Sequence, residues 1–201
     1  MSINCVIVVV ITLSSAYLGV DISAKFTPED FKCIIQSGHG DFIIERAWRS
    51  YGTLDPNIID NLGNAWNAGF NYVDVYMFPC IPCGNPQKQV DDMLSGIHDA
   101  RFQIIWLDIE VYQWNADIEI NRQFIRGLVN ELKASEMKFG FYSDATSWKK
   151  IVGDWTEMAD EMLWYAQWDN SPSFGGWTKP YMKQYRRDQK LCNTDVNFDF
   201  Y

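Results

Sequence analysis

The chain has 201 residues, of which 47% are hydrophobic and 21% are charged, so it can bury a full core without help from a metal or a partner. Twenty-six acidic residues outnumber seventeen basic ones and give a net charge of -9, which argues against binding to nucleic acid. Nine Trp, ten Tyr and twelve Phe exceed what a small core needs; most should still fill the core, but flat aromatic faces also stack on bases or sugar rings.

The chain begins with an apolar run over residues 5–13, followed by Ser14-Ser15-Ala16. This pattern predicts a signal peptide over residues 1–16, cleaved after Ala16, although no Lys or Arg precedes the run. A transmembrane anchor is the alternative, but spanning a bilayer takes about 18 or more apolar residues. We therefore expect a secreted chain, without stable membrane insertion, whose residues 17–201 form a single domain and remain monomeric.

Removal of the leader leaves four cysteines, Cys33, Cys80, Cys83 and Cys192, in a chain that enters an oxidising compartment. Two disulfide bonds are therefore expected. Three connectivities are open, and we favour Cys80 with Cys83 and Cys33 with Cys192, because the second would join the beginning of the chain to its end. The Cys80–Cys83 spacing also fits a redox motif or half of a zinc site, but the sequence has no second such pair, so no metal or cofactor is predicted.

Short apolar runs alternate with amphipathic segments along the chain, which predicts strands and helices in turn. This order is typical of a parallel α/β fold. The last connections are too short or too rich in Gly, Pro and Asn for full helices. We therefore predict an α/β fold, a modified TIM-like (β/α) barrel with eight strands and an incomplete outer ring of helices. The predicted strands are Leu18 to Ile22, Phe42 to Ala47, Tyr72 to Phe78, Gln103 to Glu110, Lys138 to Ser143, Met162 to Trp168, Met182 to Tyr185 and Asp195 to Phe200.

Two acids end the fourth predicted strand. Alternation of side chains puts Asp108 and Glu110 on one face, together with Trp106, and apolar residues on the other. Repulsion between two such carboxylates raises the pKa of one of them, which then keeps a proton to donate near neutral pH. Cleavage of a glycosidic bond requires that arrangement. A solvated surface pair is the alternative, but the flanking run is too hydrophobic for an exposed edge strand.

Other predicted strands also carry an acid on their polar face: Asp21 in the first, Asp74 in the third, and Asp195 with Asp199 in the last. The carboxyl ends of parallel barrel strands meet at one rim, where the active sites of such barrels lie. Several acids would then surround one pocket. For Asp74, a satisfied structural role is an equal alternative.

The order and spacing of these segments resemble the glycoside hydrolase family 25 lysozymes, also called the Chalaropsis type, over essentially the whole mature chain. The segments that carry the resemblance are Gly19-Val20-Asp21-Ile22-Ser23, Trp106-Leu107-Asp108-Ile109-Glu110, Leu163-Trp164-Tyr165-Ala166-Gln167-Trp168 and Asp195-Val196-Asn197-Phe198. Three more look most like the branch found in protists and nematodes, namely Ser50-Tyr51-Gly52, residues 73–80 and Tyr181-Met182-Lys183-Gln184-Tyr185.

The resemblance implies a lysozyme that hydrolyses the β-1,4 bond between N-acetylmuramic acid and N-acetylglucosamine in bacterial peptidoglycan. Glu110 would be the general acid and base, and Asp108 would assist the acetamido group of the substrate in a neighbouring-group mechanism. Asp21 matches the first-strand acid of the family. Asp195 matches the last-strand acid, with Asp199 as the alternative.

Further residues of the predicted strands would line the sugar groove: Asp74, Tyr76, Tyr142, Trp164 and Trp168. Many lysozymes are basic, which helps them approach an anionic cell wall, whereas this chain is strongly acidic. In an acidified phagosome or gut, protonation would neutralise part of that charge. We expect the chain to be secreted or lysosomal/phagosomal. Two other functions stay open at this point. One is a chitinase-like hydrolase, which shares the acid pair, and the other is a carbohydrate-binding or signalling protein without catalysis.

Overall fold

The structure, a computed structural model, describes residues 16–167 and 171–201. Apart from Ala16, the predicted signal peptide lies outside the described residues. The described chain forms a closed barrel of eight strands, in which the first strand pairs with both the second and the last. The barrel strands are β1 (Leu18–Ile22), β2 (Phe42–Arg49), β4 (Tyr72–Met77), β5 (Ile105–Asp108), β6 (Phe139–Ser143), β7 (Met162–Tyr165), β8 (Met182–Leu191) and β9 (Thr194–Phe200), and a short β3 (Thr53–Leu54) pairs with the end of β2.

The barrel and its eight strands are confirmed, but the expectation that all the strands are parallel is wrong for the last one. β9 runs antiparallel to both of its neighbours, β1 and β8. Only Cys192 and Asn193 separate β8 from β9, and both have positive φ angles, 54° and 63°. Such a two-residue turn makes a hairpin, whereas a parallel neighbour needs a connection of a dozen or more residues.

Within the part of the chain that the structure describes, five helices cover part of the barrel, so the outer ring is incomplete as predicted. Side-chain caps start several of them: Thr27 and Asp30 form a capping box, and Asp117 and Asp144 accept hydrogen bonds from the following turn. In the described part of the link from β7 to β8 there is no helix. No helix within residues 16–167 and 171–201 is long and apolar enough to cross a membrane. The helices are α1 (Pro28–Ile34), extended by a π-helical turn (Ile35–His39), α2 (Ile58–Ala68), α3 (Pro86–Gly96), α4 (Ile118–Ala134) and α5 (Ala145–Val152).

Side chains alternate between two apolar cores, one between the strands and the helices and one inside the barrel. The inner core is built around the indole rings of Trp106 and Trp164, whose centroids lie 5.9 Å apart. Gly140 on β6 leaves room for Trp106, because a Cβ atom at Gly140 would lie 2.5 Å from the indole ring. The barrel interior is therefore filled with side chains and is not an open channel.

Both predicted disulfide bonds are confirmed. Cys33 on α1 is bonded to Cys192, with Cα atoms 5.9 Å apart, and Cys80 is bonded to Cys83, with Cα atoms 5.3 Å apart. The first bond joins residues 159 positions apart in the chain. It fastens the turn of the β8–β9 hairpin to the helix layer, so it limits the movement of that hairpin as well as the freedom of the unfolded chain.

Glu45 is a carboxyl group in the apolar layer between strands and helices. It lies on β2 opposite Ile22 and Val75 in the neighbouring strands and is 0% exposed. Neither of its carboxyl oxygens has a hydrogen-bond partner among the described residues. Burial raises the pKa of Glu45 well above its ordinary value, because a charge at this position would lose its hydration without gaining a partner. Glu45 is thus held in its protonated form.

We expect Glu45 to make the folded chain less stable as the pH rises. In the unfolded chain Glu45 ionises above its ordinary pKa of 4.5, whereas in the folded chain it stays protonated, so unfolding becomes easier from pH 4.5 up to the raised pKa. The free energy of unfolding of Glu45→Gln, relative to that of the wild type, should be about 1–3 kcal/mol higher at pH 7 than at pH 4. Urea unfolding at both pH values measures this difference. Glu29→Gln, at an exposed position of α1, is the control, and an equal pH dependence in wild type and Glu45→Gln would contradict the account.

Candidate active site

A small cavity of about 80 Å³ opens at the end of the barrel where the parallel strands have their carboxyl ends. It collects side chains from distant parts of the sequence, because β1, β4, β5, β6, β7 and the β8–β9 hairpin all reach this rim. Most of the acids and aromatic residues predicted for the site therefore meet here. The lining residues are Asp21, Tyr76, Asp108, Glu110, Tyr142, Trp164, Gln184 and Asn197.

Asp108 and Glu110 lie in this cavity in different surroundings. Asp108 ends β5 and is buried, and its Oδ1 atom has no hydrogen-bond partner among the described residues. Burial, and after it repulsion from Glu110 and Asp21, raises the pKa of Asp108 well above its ordinary value. The side chain of Glu110 is 29% exposed, and its Oε1 atom lies 3.0 Å from Nη2 of Arg187. The raised pKa of Asp108 thus favours its protonated form, while Glu110 forms an ion pair with Arg187.

This outcome refines the prediction from the acid pair. Repulsion between the two carboxyls does raise one pKa, but burial contributes more than repulsion, and the carboxyl concerned is that of Asp108. Alternation could not predict this difference, because both residues lie on the same face of one segment. The difference arises because Asp108 still belongs to the strand, whereas Glu110 follows it and reaches toward solvent.

Arg187, Gln184 and Asn197 belong to the site although they were not predicted from the sequence, and Arg187 is the cation among them. Besides Glu110, its guanidinium donates to the hydroxyl of Tyr142 and to Oε1 of Gln184, both at 2.8 Å. Gln184 in turn donates to Oδ2 of Asp21 at 2.7 Å. The pairing of β8 with β9 shifts after Gln184, so that Arg186 lies opposite Phe198. The predicted strand ends at Tyr185, and a bulge of this kind reverses the faces that alternation would assign beyond that point, so the pattern did not indicate Arg187.

The carboxyl groups of Asp21 and Asp199 act on each other inside the barrel, and Oδ2 of Asp199 has no hydrogen-bond partner among the described residues. Asp21 also accepts from Nδ2 of Asn197 at 2.9 Å, and Asp199 accepts from Nε1 of Trp164 at 2.8 Å. Burial, with repulsion from Asp21, raises the pKa of Asp199 well above its ordinary value. Burial also raises the pKa of Asp21, but the amides of Gln184 and Asn197 favour its charged form, so Asp199 is the carboxyl that more strongly favours its protonated form.

Of the two candidates for the last-strand acid, the structure brings Asp199 to this site and places Asp195 elsewhere. Asp195 faces the predicted way, but β9 extends beyond the rim of the barrel, so its side chain lies outside the pocket. It is 69% exposed and pairs with Lys190 at 2.6 Å. Alternation predicted the face of the strand correctly and could not predict how far the hairpin projects.

Three of the aromatic residues predicted for the groove form its inner wall. The rings of Tyr142 and Trp164 lie 4.4 Å apart, and the ring of Tyr76 meets Trp164 edge-on at 6.4 Å. Burial and the nearby carboxyls of Asp21 and Asp108 raise the pKa of Tyr76, so its hydroxyl keeps its proton and can donate. Trp168 lies outside the described residues.

Asp74 does not reach this pocket. It lies two residues before Tyr76 on the same face of β4, and therefore nearer the opposite end of the barrel. Its carboxylate accepts from the backbone N–H of Ile104 at 3.1 Å and from Nε1 of Trp106 at 3.0 Å. The indole of Trp106 fills the space between Asp74 and the acidic cavity.

The site therefore combines a buried carboxyl that favours its protonated form, a second carboxylate held by an arginine, and an aromatic wall. Within the described part of the chain, no three His, Cys, Asp or Glu residues are arranged to hold a metal ion. A proton donor beside a carboxylate at the strand ends of a barrel is the arrangement by which carboxyl-dependent glycosidases act. This is the class of protein that the fold and the site define.

Comparison with known proteins agrees with this class. The family model described as Lysozyme-like protein 1 (Lys-1) matches residues 12–185. "Probable GH family 25 lysozyme 2" of Dictyostelium discoideum is 40% identical over 93% of this chain and 92% of its own, and "Lysozyme-like protein 5" of Caenorhabditis elegans is 37% identical over 86% and 85%. A family GH25 lysozyme from Aspergillus fumigatus has a similar fold, with a TM-score of 0.78 at 22% identity over 93% of this chain and 94% of that one.

The chain belongs to the glycoside hydrolase family 25 lysozymes and is a glycoside hydrolase of the lysozyme type. The resemblance predicted from the sequence is thereby confirmed, and the relatives from a protist and a nematode agree with the branch that was expected.

Arg187 should control the protonation of the acid pair. Its positive charge lowers the pKa values of Asp108 and Asp21, so Arg187→Gln should raise both. Carboxyl carbon chemical shifts followed by NMR during a pH titration measure this directly. Arg186→Gln removes the same charge from the neighbouring residue, outside the acidic cavity, and should change neither value. An unchanged pKa of Asp108 in Arg187→Gln would show that the ion pair does not act on the buried carboxyl.

Proposed function

We propose that this chain is a muramidase, which hydrolyses the β-1,4 bond between N-acetylmuramic acid and N-acetylglucosamine in bacterial peptidoglycan. The observation that carries the proposal is a buried Asp108, whose Oδ1 has no hydrogen-bond partner among the described residues, beside Glu110 in one pocket, with Glu110 ion-paired to Arg187. Peptidoglycan as substrate is supported by the autolysin LytC of Streptococcus pneumoniae, which was solved in complex with a synthetic peptidoglycan ligand. LytC has a TM-score of 0.74 at 17% identity, over 95% of this chain and 48% of its own.

In the proposed reaction the substrate first separates Glu110 from Arg187. The proton of Asp108 then passes to Glu110, since two neighbouring carboxyls that repel each other hold one proton between them. Glu110 gives this proton to the leaving glycosidic oxygen, while the acetamido oxygen of the substrate bonds to the anomeric carbon as the glycosidic bond breaks. The ionised Asp108 stabilises the N–H of the oxazolinium that forms.

The second half of the reaction regenerates the acid pair. Glu110 takes a proton from a water molecule as that water attacks the anomeric carbon, and the oxazolinium opens to restore the acetamido group. When the product leaves, the proton returns to Asp108 and Glu110 pairs again with Arg187. Asp21 contributes to the reaction indirectly. It accepts a hydrogen bond from Gln184, and this bond holds Gln184 where it accepts one from Arg187.

Removal of the acid should abolish turnover. Because an amide cannot donate the required proton, Glu110→Gln should clear a bacterial cell-wall suspension about 10²- to 10⁴-fold more slowly, and Asp108→Asn should also be impaired. The assay runs from pH 4 to 8, with the sugar at each new reducing end identified. Glu136→Gln, on the exposed turn after α4, is the matched control and should clear like the wild type.

The possible results separate the functions that the sequence left open. Clearance that is retained in Glu110→Gln would assign the acid to another residue. A wild-type chain that cleaves chitin oligomers but not cell walls would be a chitinase-like hydrolase. A chain that binds glycans without cleaving either would be a non-catalytic carbohydrate-binding protein.

A second cavity favours peptidoglycan over chitin. It has a volume of about 220 Å³, shares Gln184 with the acidic cavity, and is lined by Arg186 and Arg187. N-acetylmuramic acid carries a lactyl carboxylate that N-acetylglucosamine lacks. In a chain with a net charge of -9, two adjacent arginines beside the reacting bond suit that carboxylate.

Arg186 should therefore influence the choice of substrate. Arg186→Gln should lower kcat/KM on peptidoglycan about two- to fivefold and leave the value for chitin oligomers unchanged, because Arg186 is exposed and its ion pairs are weakened by solvent. Arg186→Lys keeps the charge, so its kcat/KM on peptidoglycan should fall less than that of Arg186→Gln. Equal losses on both substrates would show that Arg186 does not recognise a carboxylate.

We also propose that the chain acts outside the cell or in a lysosome or phagosome. Two disulfide bonds are typical of an oxidising compartment or of proteins that have passed through one. The apolar run before Tyr17 agrees with entry into the secretory pathway.

A further inference from the structure

A larger cavity, of about 620 Å³, opens at the end of the barrel opposite the acidic site. Its lining residues lie where strands begin: Phe42 and Tyr72 are the first residues of β2 and β4, and Lys138 and Tyr181 directly precede β6 and β8. Tyr201 follows β9, which runs in the opposite direction. The volume is within the range of about 300–1,000 Å³ typical of small-molecule sites.

Exposed tyrosine rings surround the mouth of this cavity. Tyr17, Tyr72 and Tyr181 are 56%, 50% and 45% exposed, although they lie far apart in the sequence. Tyr201 stands among them, edge-on to Tyr181 at 5.3 Å and 4.6 Å from the ring of Phe42. Several large rings that remain in solvent at one concave place mark a binding site more often than scattered single rings do.

The polar groups of the cavity balance one another in charge. Asp74 is 3% exposed and accepts hydrogen bonds from the backbone N–H of Ile104 and from Nε1 of Trp106, and Tyr201 lies near enough to act on its carboxyl. The positive charge of Lys138 acts on Asp74, and its Nζ atom lies 5.8 Å from the centre of the Tyr181 ring. Among the side chains of the cavity, the carboxyl of Asp74 and the ammonium of Lys138 offset each other and leave no excess charge to attract a phosphate or a free cation.

We propose that this cavity binds a neutral pyranose sugar. The tyrosine rings at the mouth would stack on the apolar face of the sugar ring, and the hydroxyl groups of the sugar would bond to Lys138, to Gln103 and to the tyrosine hydroxyls. A wholly apolar ligand would leave these polar groups without partners, which costs binding energy. The site does not depend on cleavage at the other end of the barrel, because the filled interior separates the two cavities.

The test is an NMR titration of the isotope-labelled full chain with the β-1,4-linked trisaccharide of N-acetylglucosamine. It is done in the Glu110→Gln background, so that the probe stays intact whether or not the wild type cleaves it. Saturable shifts at Tyr72, Tyr181 and Lys138 are expected. Shifts confined to the surroundings of Asp108, or none at millimolar probe, would overturn the proposal.

Variants identify the stacking face. Tyr72→Ala should weaken binding at this cavity by about tenfold, whereas Tyr72→Phe, which keeps the ring, should bind within about twofold of the parent. Tyr51→Ala removes an equally exposed ring, 58% in solvent, at the opposite end of the barrel and should have no effect on these shifts. Equal binding by Tyr72→Ala and its parent would also contradict the proposal. The cell-wall assay of the wild type is separate, so failure of one idea does not imply failure of the other.

Discussion

The properties of the acidic end of the barrel depend on the burial of its carboxyl groups, which have little contact with solvent. Asp21, Asp108 and Asp199 are buried there beside Glu110, and four negative charges so close together in a poorly solvated place would repel one another strongly. Two raised pKa values, which favour the uncharged forms of two carboxyl groups, and the positive charge of one guanidinium reduce this repulsion. The two carboxyl groups are those of Asp108 and Asp199, and the guanidinium is that of Arg187, which pairs with Glu110. The proposed chemistry follows from this distribution, because a site that must hold protons can also release one.

The position of Arg187 in turn depends on features far from the site. Arg187 faces the acids because the pairing of β8 and β9 shifts after Gln184, and it stays there because the hairpin turn is bonded to α1 through Cys33 and Cys192. A bulge is a means of redirecting one side chain without changing the strand that carries it. The antiparallel last strand, which is the departure from a regular β/α barrel, is thus what supplies the positive charge of the site.

The sequence predicted the barrel, its eight strands, both disulfide bonds and most of the acids, because these depend on local alternation and on cysteine pairing. Three features could not be predicted from the sequence. The direction of β9 depends on a two-residue turn, the absence of Asp195 from the pocket depends on how far a hairpin projects, and the role of Arg187 depends on a bulge. None of these leaves a periodic signal. The different states of Asp108 and Glu110 are also invisible to a pattern, since burial is a property of the folded chain.

Two packed indole rings lie between the two ends of the barrel, and each donates a hydrogen bond to a buried carboxyl group near one end. Trp106 donates from Nε1 to Asp74 near one end, and its ring packs 5.9 Å from that of Trp164, which donates to Asp199 near the other. Each indole thus satisfies a buried carboxyl with its N–H group and fills the barrel with its ring. Because buried polar groups are costly when unpaired, both rings are held in place by the acids they serve. The same two rings keep the 620 Å³ cavity closed off from the acidic site, so each end can bind its own ligand on a rigid common support.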